Sequence, residues 1–149
     1  TSIALIDIDH FKAINDSLGH IIGDSVLKRL SKALGASLRD TDLAGRYGGD
    51  EFCVIMPNTS AVLAWETLDQ LRNDVHALRD PHMPRLQMSL SIGIATYRPD
   101  IADAASWLNE ADKALYIAKT TGRNRVCLAE SNLIEFPRLS VETSAQGLE

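Results

Sequence analysis

The sequence predicts an α+β fold in which helices cover the faces of a mostly antiparallel, five-stranded sheet. Short apolar runs have the two-residue period of strands, and longer runs have the 3.6-residue period of helices. Only the second and third predicted strands are adjacent in sequence, and helices separate the others. The predicted order is β-α-α-β-β-α-β-α-β, which is typical of a single two-layer or three-layer domain.

The first third of the chain predicts one strand and two helices. Ser2–Ile8 is rich in β-branched residues and reads as a buried strand. Asp9 is a candidate N-cap for a short helix, which Gly19 ends. A longer helix follows over residues 21–38, because its apolar residues recur at helical spacing.

The middle of the chain predicts a hairpin and a third helix. The segments "DLAGRY" and "EFCVIMP" flank Gly48 and Gly49, which favours a tight turn between two strands. Residues 58–60 cap a helix that runs to about Arg79. The residues predicted to be buried on it are Val62, Leu63, Trp65, Leu68, Leu71, Val75 and Leu78.

The remaining elements are a strand, a helix and a final strand. Pro81 and Pro84 break the third helix, and Leu86–Tyr97 alternates apolar and polar residues as a strand does. A helix then ends at Gly122, and "RNRVCLA" reads as the last strand. We therefore expect one domain over residues 1–130, followed by a loosely ordered tail over residues 131–149.

Composition limits the classes of partner. The 149 residues carry a net charge of −5, so we expect no binding to DNA or RNA and no contact of this domain with an anionic membrane. A ligand that carries phosphates must then meet local cations or a metal ion. Cys53 and Cys127 lie in apolar runs, which predicts buried thiols and a cytoplasmic domain.

Acidic residues cluster at two predicted strand ends. Asp7 and Asp9 share a face of the first strand, because side chains alternate along it, and Asp50 and Glu51 follow the glycines of the hairpin. If the two ends meet, repulsion among the carboxylates favours a hard divalent cation such as Mg²⁺. Otherwise Asp9 is a helix cap, and Asp50 and Glu51 form a hydrated turn. The spacing alone leaves both interpretations open.

Five blocks in order resemble the GGDEF family of diguanylate cyclases. They are "DIDHFKAINDSLGHIIGD", "RYGGDEF", "SLSIGIA", "ADKALYIAK" and "GRNRV", and they extend from about Ile3 to Val126. The pentapeptide Gly48–Phe52 is the unaltered signature. The resemblance implies a ferredoxin-like core related to the palm of nucleotidyl cyclases and polymerases. It also implies condensation of two GTP into cyclic di-GMP, with release of two pyrophosphates.

The resemblance implies a catalytic and metal-binding group. At the matching positions, Asp7, the backbone carbonyl of Ile8 and Asp50 are the ligands of Mg²⁺, or of Mn²⁺ in its place. Asp50 is at the general-base position and has Glu51 beside it. Lys12 is placed to stabilise charge in the transition state.

The resemblance also implies residues that bind GTP. The substrate-binding positions are His10, Phe11, Asn15, His20, Asp24, Gly48, Gly49, Lys119 and Arg123. The backbone amides at the start of the first helix would hold phosphates, as would the two cations near the chain's end, while Asn15 and Asp24 would read guanine. Two plainer alternatives stay open: Lys119 is a favourable lysine at a helix C-terminus, and His20 makes a structural hydrogen bond.

A second site and a partner are implied as well. Arg39 and Asp42 form an R-x-x-D at the spacing of the family's inhibitory site for cyclic di-GMP, although a solvated helix end has the same pattern. Catalysis is expected across a homodimer. Thr1 stands at the first strand, so we expect the chain to lack the family's N-terminal helix segment. An upstream sensor or dimerisation domain is not in this sequence, and its parent protein could be membrane-anchored. The isolated chain is expected to be weakly active. The alternative function is a non-catalytic sensor that binds GTP or cyclic di-GMP.

Overall fold

A computed structural model describes residues 1–80, 83 and 86–129 of the chain. It contains strands and helices in the order that the sequence predicts, and the α+β fold class is confirmed. The strands are β1 (Ser2–Ile8), β2 (Leu43–Arg46), β3 (Glu51–Met56), β4 (Leu90–Thr96) and β5 (Arg125–Leu128). The helices are α1 (Phe11–Leu18), α2 (His20–Ser37), α3 (Ala61–Ala77) and α4 (Ala104–Thr120).

β1 lies at the centre of a sheet whose strand order is β2-β3-β1-β4-β5. It pairs antiparallel with both β3 and β4, and β2 pairs antiparallel with β3. Only β4 and β5 are parallel. The register sets Asp7 opposite Glu51 on one side and opposite Ser91 on the other. The end of β1 therefore lies beside the tip of the β2–β3 hairpin.

Two apolar layers hold the helices on the sheet. Every residue of β1 is buried, so both faces of this strand are covered. Ile6 and Ile8 pack with the buried residues of α2 and α3, whereas Ile3 and Leu5 pack with those of α4. The alternation of β1 side chains thus divides the core into a two-helix layer and a one-helix layer.

Gly93 marks the closest approach between the sheet and α4. A Cβ atom built on Gly93 would lie 2.7 Å from the Cα of Leu115, and still closer to the Leu115 amide nitrogen and the Ala111 carbonyl oxygen. Those atoms are helix backbone and cannot rotate away. The absence of a side chain at Gly93 therefore sets how closely α4 packs on β4.

Some local expectations were wrong. The N-cap of α1 is His10, with φ 57°, and not Asp9, whose side chain is buried against β4. Leu63 and Leu78 are 46% and 42% exposed, because the buried stripe of α3 runs through Ala61, Ala64, Leu68, Leu71 and Val75.

Other expectations hold only in part. The fourth strand begins at Leu90 instead of Leu86, since residues 86–89 lie beyond the end of β1. Cys53 and Cys127 are free thiols but only half-buried, and burial raises the pKa of each. The expected breaks at Pro81 and Pro84 and the tail over 131–149 lie outside the described residues. Within the described ranges, no helix is both long enough and apolar enough to cross a bilayer.

Candidate functional site

Three acidic residues lie near one another where β1 meets the hairpin. Asp7 is 8% exposed and lies opposite Glu51, and the amide of Ile8 donates a 3.4 Å hydrogen bond to the carbonyl of Asp50. Burial raises the pKa of Asp7 above its ordinary value. The negative charges of Asp50 and Glu51 add to that rise. This end of the sheet therefore concentrates negative charge and favours a cation.

The cation that lies there is the ammonium of Lys119. Its Nζ is 2.7 Å from Oδ2 of Asp7, and this hydrogen bond and its charge partly offset the rise in the pKa of Asp7. Lys119 is in the last turn of α4, and its side chain is one-third exposed. The structure thus brings a lysine from near the end of the described chain to the acids at its start.

The same acids fit a divalent metal that is shared with a ligand. Over the described ranges, no three His, Cys, Asp or Glu side chains converge as a closed metal cage. Mg²⁺ commonly takes only one or two carboxylates and completes its shell with water and phosphate oxygens. Asp7 and Asp50 supply hard oxygen donors of this kind. Their chemistry therefore fits Mg²⁺ bound together with a phosphate-bearing molecule.

Asn15 is a residue of α1, and its side chain packs against α2 at Gly23, which has no side chain to obstruct it. Its Oδ1 is buried and has no hydrogen-bond partner among the described residues. A Cβ on Gly23 would lie 2.9 Å from Cγ of Asn15, and Oδ1 is closer still. Asp24, the next residue of α2, is exposed. The Asn15 amide therefore packs on α2 one residue before the exposed Asp24.

Asp24 lines one end of an open cavity of about 640 Å³ between α2 and β2. The charged residues that line this cavity are Asp24, Lys28, Arg39, Asp40, Asp42 and Arg46. The lining has both signs of charge and several apolar side chains, among them Leu34 and Phe52. It can therefore contact a ligand that is both polar and aromatic.

Several of the predicted phosphate-binding groups face solvent. The N-cap residue His10 makes no side-chain capping hydrogen bond, and within the described ranges no side chain accepts from the amides of His10 and Phe11. Lys12 is exposed, and so is His20 at the first position of α2. Arg123 is exposed in a turn after α4, with φ 59°.

Arg39 and Asp42 form an ion pair and not a freely hydrated helix end. Arg39 Nη2 is 2.7 Å from Asp42 Oδ1, and the Arg39 amide also donates to this carboxylate at 2.9 Å. The Asp42 side chain is 1% exposed, and the hydrogen bond from Arg39 lowers its pKa. Arg39 Nη2 also donates to the Pro57 carbonyl and to Thr59 Oγ1, at 3.0 and 2.6 Å. The pair therefore joins the α2–β2 and β3–α3 connections.

A family comparison identifies the domain. The model described as "Diguanylate cyclase, GGDEF domain" matches residues 1–125. The chain belongs to the GGDEF domain family. The GGDEF signature itself occupies the turn after β2 and the start of β3, next to the end of β1.

Curated relatives of this GGDEF domain include proteins named as diguanylate cyclases. It is 42% identical over 128 residues to the probable diguanylate cyclase DgcC of Escherichia coli, and 43% identical over 133 residues to diguanylate cyclase A of Treponema denticola. These matches cover 86% and 89% of this chain but 34% and 36% of the relatives. The chain therefore spans about a third of the length of these relatives.

Solved structures have the same fold. The active GGEEF domain of a diguanylate cyclase from Vibrio cholerae superposes with a TM-score of 0.83 at 35% identity, covering 87% of this chain and 82% of that one. The GGDEF domain of DgcB from Caulobacter crescentus, in complex with cyclic di-GMP, superposes with a TM-score of 0.80 at 36% identity. That match covers 87% of this chain and 77% of the other.

Asp9 has a role in this GGDEF domain that its sequence pattern did not reveal. Its carboxylate accepts hydrogen bonds from the hydroxyls of Ser89 and Ser91, both at 2.6 Å, and from the amide of Asn124 at 3.0 Å. Asn124 follows Arg123, and its side chain accepts a 2.9 Å bond from Arg72. Asp9 therefore fixes the turn that carries Arg123 to the end of β1.

Arg46 is a second residue that the sequence did not single out. Its guanidinium donates to the carbonyls of Gly48 and Gly49, with distances of 3.2, 3.0 and 2.6 Å. The amides of Tyr47 and Gly48 both donate to the Glu51 carbonyl. The GGDEF turn is thus held from both sides, while a Cβ on Gly49 would meet no atom within 4 Å. The only sequence signal was proximity to the two glycines.

Proposed function

We propose that this domain is a diguanylate cyclase, which condenses two GTP into cyclic di-GMP and releases two pyrophosphates. One observation carries the proposal: the acidic residues Asp7, Asp50 and Glu51 lie close together at the end of β1 in a member of the GGDEF family. Phosphodiester formation from triphosphates needs a metal ion that compensates their negative charge, and these acids could bind one.

Asp7, the carbonyl of Ile8 and Asp50 would hold Mg²⁺, or Mn²⁺ in its place. When bound, the metal would lower the pKa of the attacking 3′-hydroxyl and neutralise charge on the leaving pyrophosphate. Asp7 would then no longer need its ammonium partner, and Lys119 would move toward the terminal phosphates. Arg123 would be the second cation at the terminal phosphates. The bond between Asp9 and Asn124 orients the turn that carries it.

The remaining residues bind and orient the triphosphate. The amides of His10 and Phe11 would donate to phosphate oxygens, because the first turn of α1 has unpaired N–H groups. Lys12 would stabilise the charge that develops in the transition state, and Asp50, with Glu51 beside it, would accept the proton of the 3′-hydroxyl. The empty space above Gly49 lets phosphates approach the turn.

Guanine selection would come from Asn15 and Asp24. A carboxylate accepts from the N1–H and 2-amino groups of guanine, and neither group exists in adenine. His20 would line the base or ribose side at the start of α2. A site with a buried amide and an acid discriminates strongly against a base that leaves them unpaired.

Catalysis would need two copies of the domain. Each GTP supplies one 3′-hydroxyl and one α-phosphate, so two half-sites must face each other to close the ring. Correct orientation of two reactants supplies about 7–11 kcal/mol of a barrier in favourable cases. A homodimer is therefore part of the proposal, and an upstream dimerisation domain would hold the two copies together.

Product inhibition would use Arg39 and Asp42. Both line the cavity at the opposite end from Asp24, and the related Caulobacter domain is described in complex with cyclic di-GMP. The guanidinium fork would bind phosphate or guanine, and Asp42 would read guanine. Arg39 and Asp42 are paired with each other in the structure, so a ligand must break this ion pair before it can bind both side chains.

The decisive test is synthesis. The chain, fused to a parallel coiled coil that enforces dimers, is incubated with GTP and Mg²⁺, and nucleotides are separated by chromatography. We expect cyclic di-GMP from the wild type and none from Asp50→Ala. Asp112→Ala is the matched control, because Asp112 is an exposed acid on α4 away from the hairpin. GTP binding without any cyclic product would instead support the sensor function.

The inhibitory site is tested separately, by adding cyclic di-GMP to the active dimer. Arg39→Ala should keep synthesis and relieve inhibition. Unchanged inhibition in this variant would refute the assignment. Thermal unfolding of the variant is measured alongside, because Arg39 also bonds Pro57 and Thr59.

A further inference from the structure

Gly23 is a buried position inside α2 that has no side chain. Glycine in a helix interior is less favourable than alanine, so its presence there needs a reason. Gly23 has an ordinary helical backbone, and positive φ is therefore not that reason. The reason lies across the helix pair, where α1 presents Asn15.

The amide of Asn15 fills the space that a side chain at position 23 would occupy. A Cβ there would lie 2.9 Å from Cγ of Asn15, with Oδ1 nearer, and 3.3 Å from Cζ of Phe11. Phe11 packs against the core and closes one side of this space. Alanine at position 23 would therefore push the Asn15 amide away from α2.

The side chain of Asn15 contains a polar atom that lacks a hydrogen bond. Its Oδ1 is buried without a hydrogen-bond partner in the described part of the chain, which is costly for a polar atom. A half turn about χ2 exchanges the oxygen and the nitrogen, so the amide can offer a donor or an acceptor on its open side. A bound base would supply the missing partner, next to the carboxylate of Asp24.

We propose that Gly23 is a specificity-determining position, which selects guanine nucleotides by leaving the Asn15 amide room to lie against α2, one residue before Asp24. The inference rests on the proposed GTP site and assigns to Gly23 a role in base discrimination. Gly23 touches no nucleotide itself and acts by positioning Asn15. Its effect must therefore depend on Asn15 being present.

The binding experiment measures discrimination without turnover. The full chain is titrated calorimetrically with 3′-deoxy-GTP and 3′-deoxy-ATP, which lack the attacking hydroxyl. We expect Gly23→Ala to weaken 3′-deoxy-GTP binding by tenfold or more and to leave 3′-deoxy-ATP binding within twofold. Lys32→Ala is the control in the same helix, because Lys32 is exposed and lies outside the lining of the cavity beside Asp24, and it should keep the wild-type ratio.

An unfolding experiment without nucleotide tests the contact itself. Gly23→Ala should lower the melting temperature in the wild-type background. In an Asn15→Ala background the same change should leave it unchanged or raise it, since the obstacle is gone and alanine favours a helix. If Gly23→Ala alone does not fold but the double variant with Asn15→Ala does, the result equally shows that Asn15 obstructs a side chain at position 23.

The outcomes separate the inference from the proposed function. A wild type that binds both nucleotides equally well, or neither, refutes guanine selection and with it the inference, while the unfolding cycle still reports the packing. A wild type that prefers guanine and a Gly23→Ala variant with the same preference overturn the inference and leave the function standing. An equal loss of stability in both backgrounds also overturns it.

Discussion

Gly93→Ala is the substitution that tests how closely α4 packs on the sheet. The new methyl group would lie 2.7 Å from the Cα of Leu115, whereas ordinary contacts begin at 3.4 Å. Helix α4 must therefore move away by at least about 0.7 Å, since its backbone cannot rotate aside. Overpacking of this kind costs about 1–3 kcal/mol, which lowers the melting temperature of a domain of this size by about 3–10 °C.

The shift would also reach the site, because α4 carries Lys119. Retreat of α4 would weaken the ion pair between Lys119 and Asp7 and would also carry Lys119 away from the phosphates that it is proposed to bind, so we expect weaker GTP turnover as well as lower stability. Urea unfolding followed by circular dichroism measures the free energy of unfolding. Gly45→Ala is the control, since a Cβ on this β2 residue would meet nothing within 4 Å. A Gly93→Ala protein as stable as the wild type would show that this reasoning about the β4–α4 contact is wrong.

Three further predictions concern charged side chains. Asp9→Ala should speed hydrogen exchange at the Asn124 amide and raise KM for GTP more than it lowers kcat. Asp9→Asn, which keeps a side-chain acceptor, should leave the exchange rate and KM at their wild-type values. Unchanged exchange in Asp9→Ala would contradict the contact between Asp9 and Asn124. Asp42→Asn should lower the urea midpoint at pH 7. Because its arginine partner lowers the pKa of Asp42, that stabilisation is present above the ordinary pKa and is lost as pH falls through the lowered one, so the two midpoints should converge in acid. Lys119→Met should raise the pKa of Asp7 further, so its stability deficit should be absent in acid and grow as pH rises through the already raised pKa that Asp7 has in the wild type; a constant deficit would argue against the pair.

The sequence predicted the elements well because their signals are local. The period of apolar residues and the glycines of the hairpin are set by neighbours a few positions apart. The meeting of Asp7 with Asp50 and Glu51 depended on which strands pair, and only the register of β1 with β3 supplies that information. Leu63 was misplaced because an apolar residue beside the buried stripe of a helix has the same local pattern as one within it.

The parts of the site that could not be predicted depend on distant or conformational contacts. Asp9 and Asn124 are 115 residues apart, and no local pattern indicates that they touch. The bonds from Arg46 to the turn carbonyls require the turn's actual backbone path. Gly23 looks like an unfavourable helix residue until Asn15 is seen against it.

The link between Asp9 and Asn124 has a consequence for the order in which the domain matures. The turn that carries Arg123 leads directly into β5, which among the described strands is a four-residue edge strand paired with β4 alone. Contacts of such long sequence separation form late, and short edges detach at low free-energy cost. A nascent chain would thus fold most of its core before the proposed nucleotide site is complete. Transient detachment of β5 would disrupt that proposed site while leaving the rest of the domain folded.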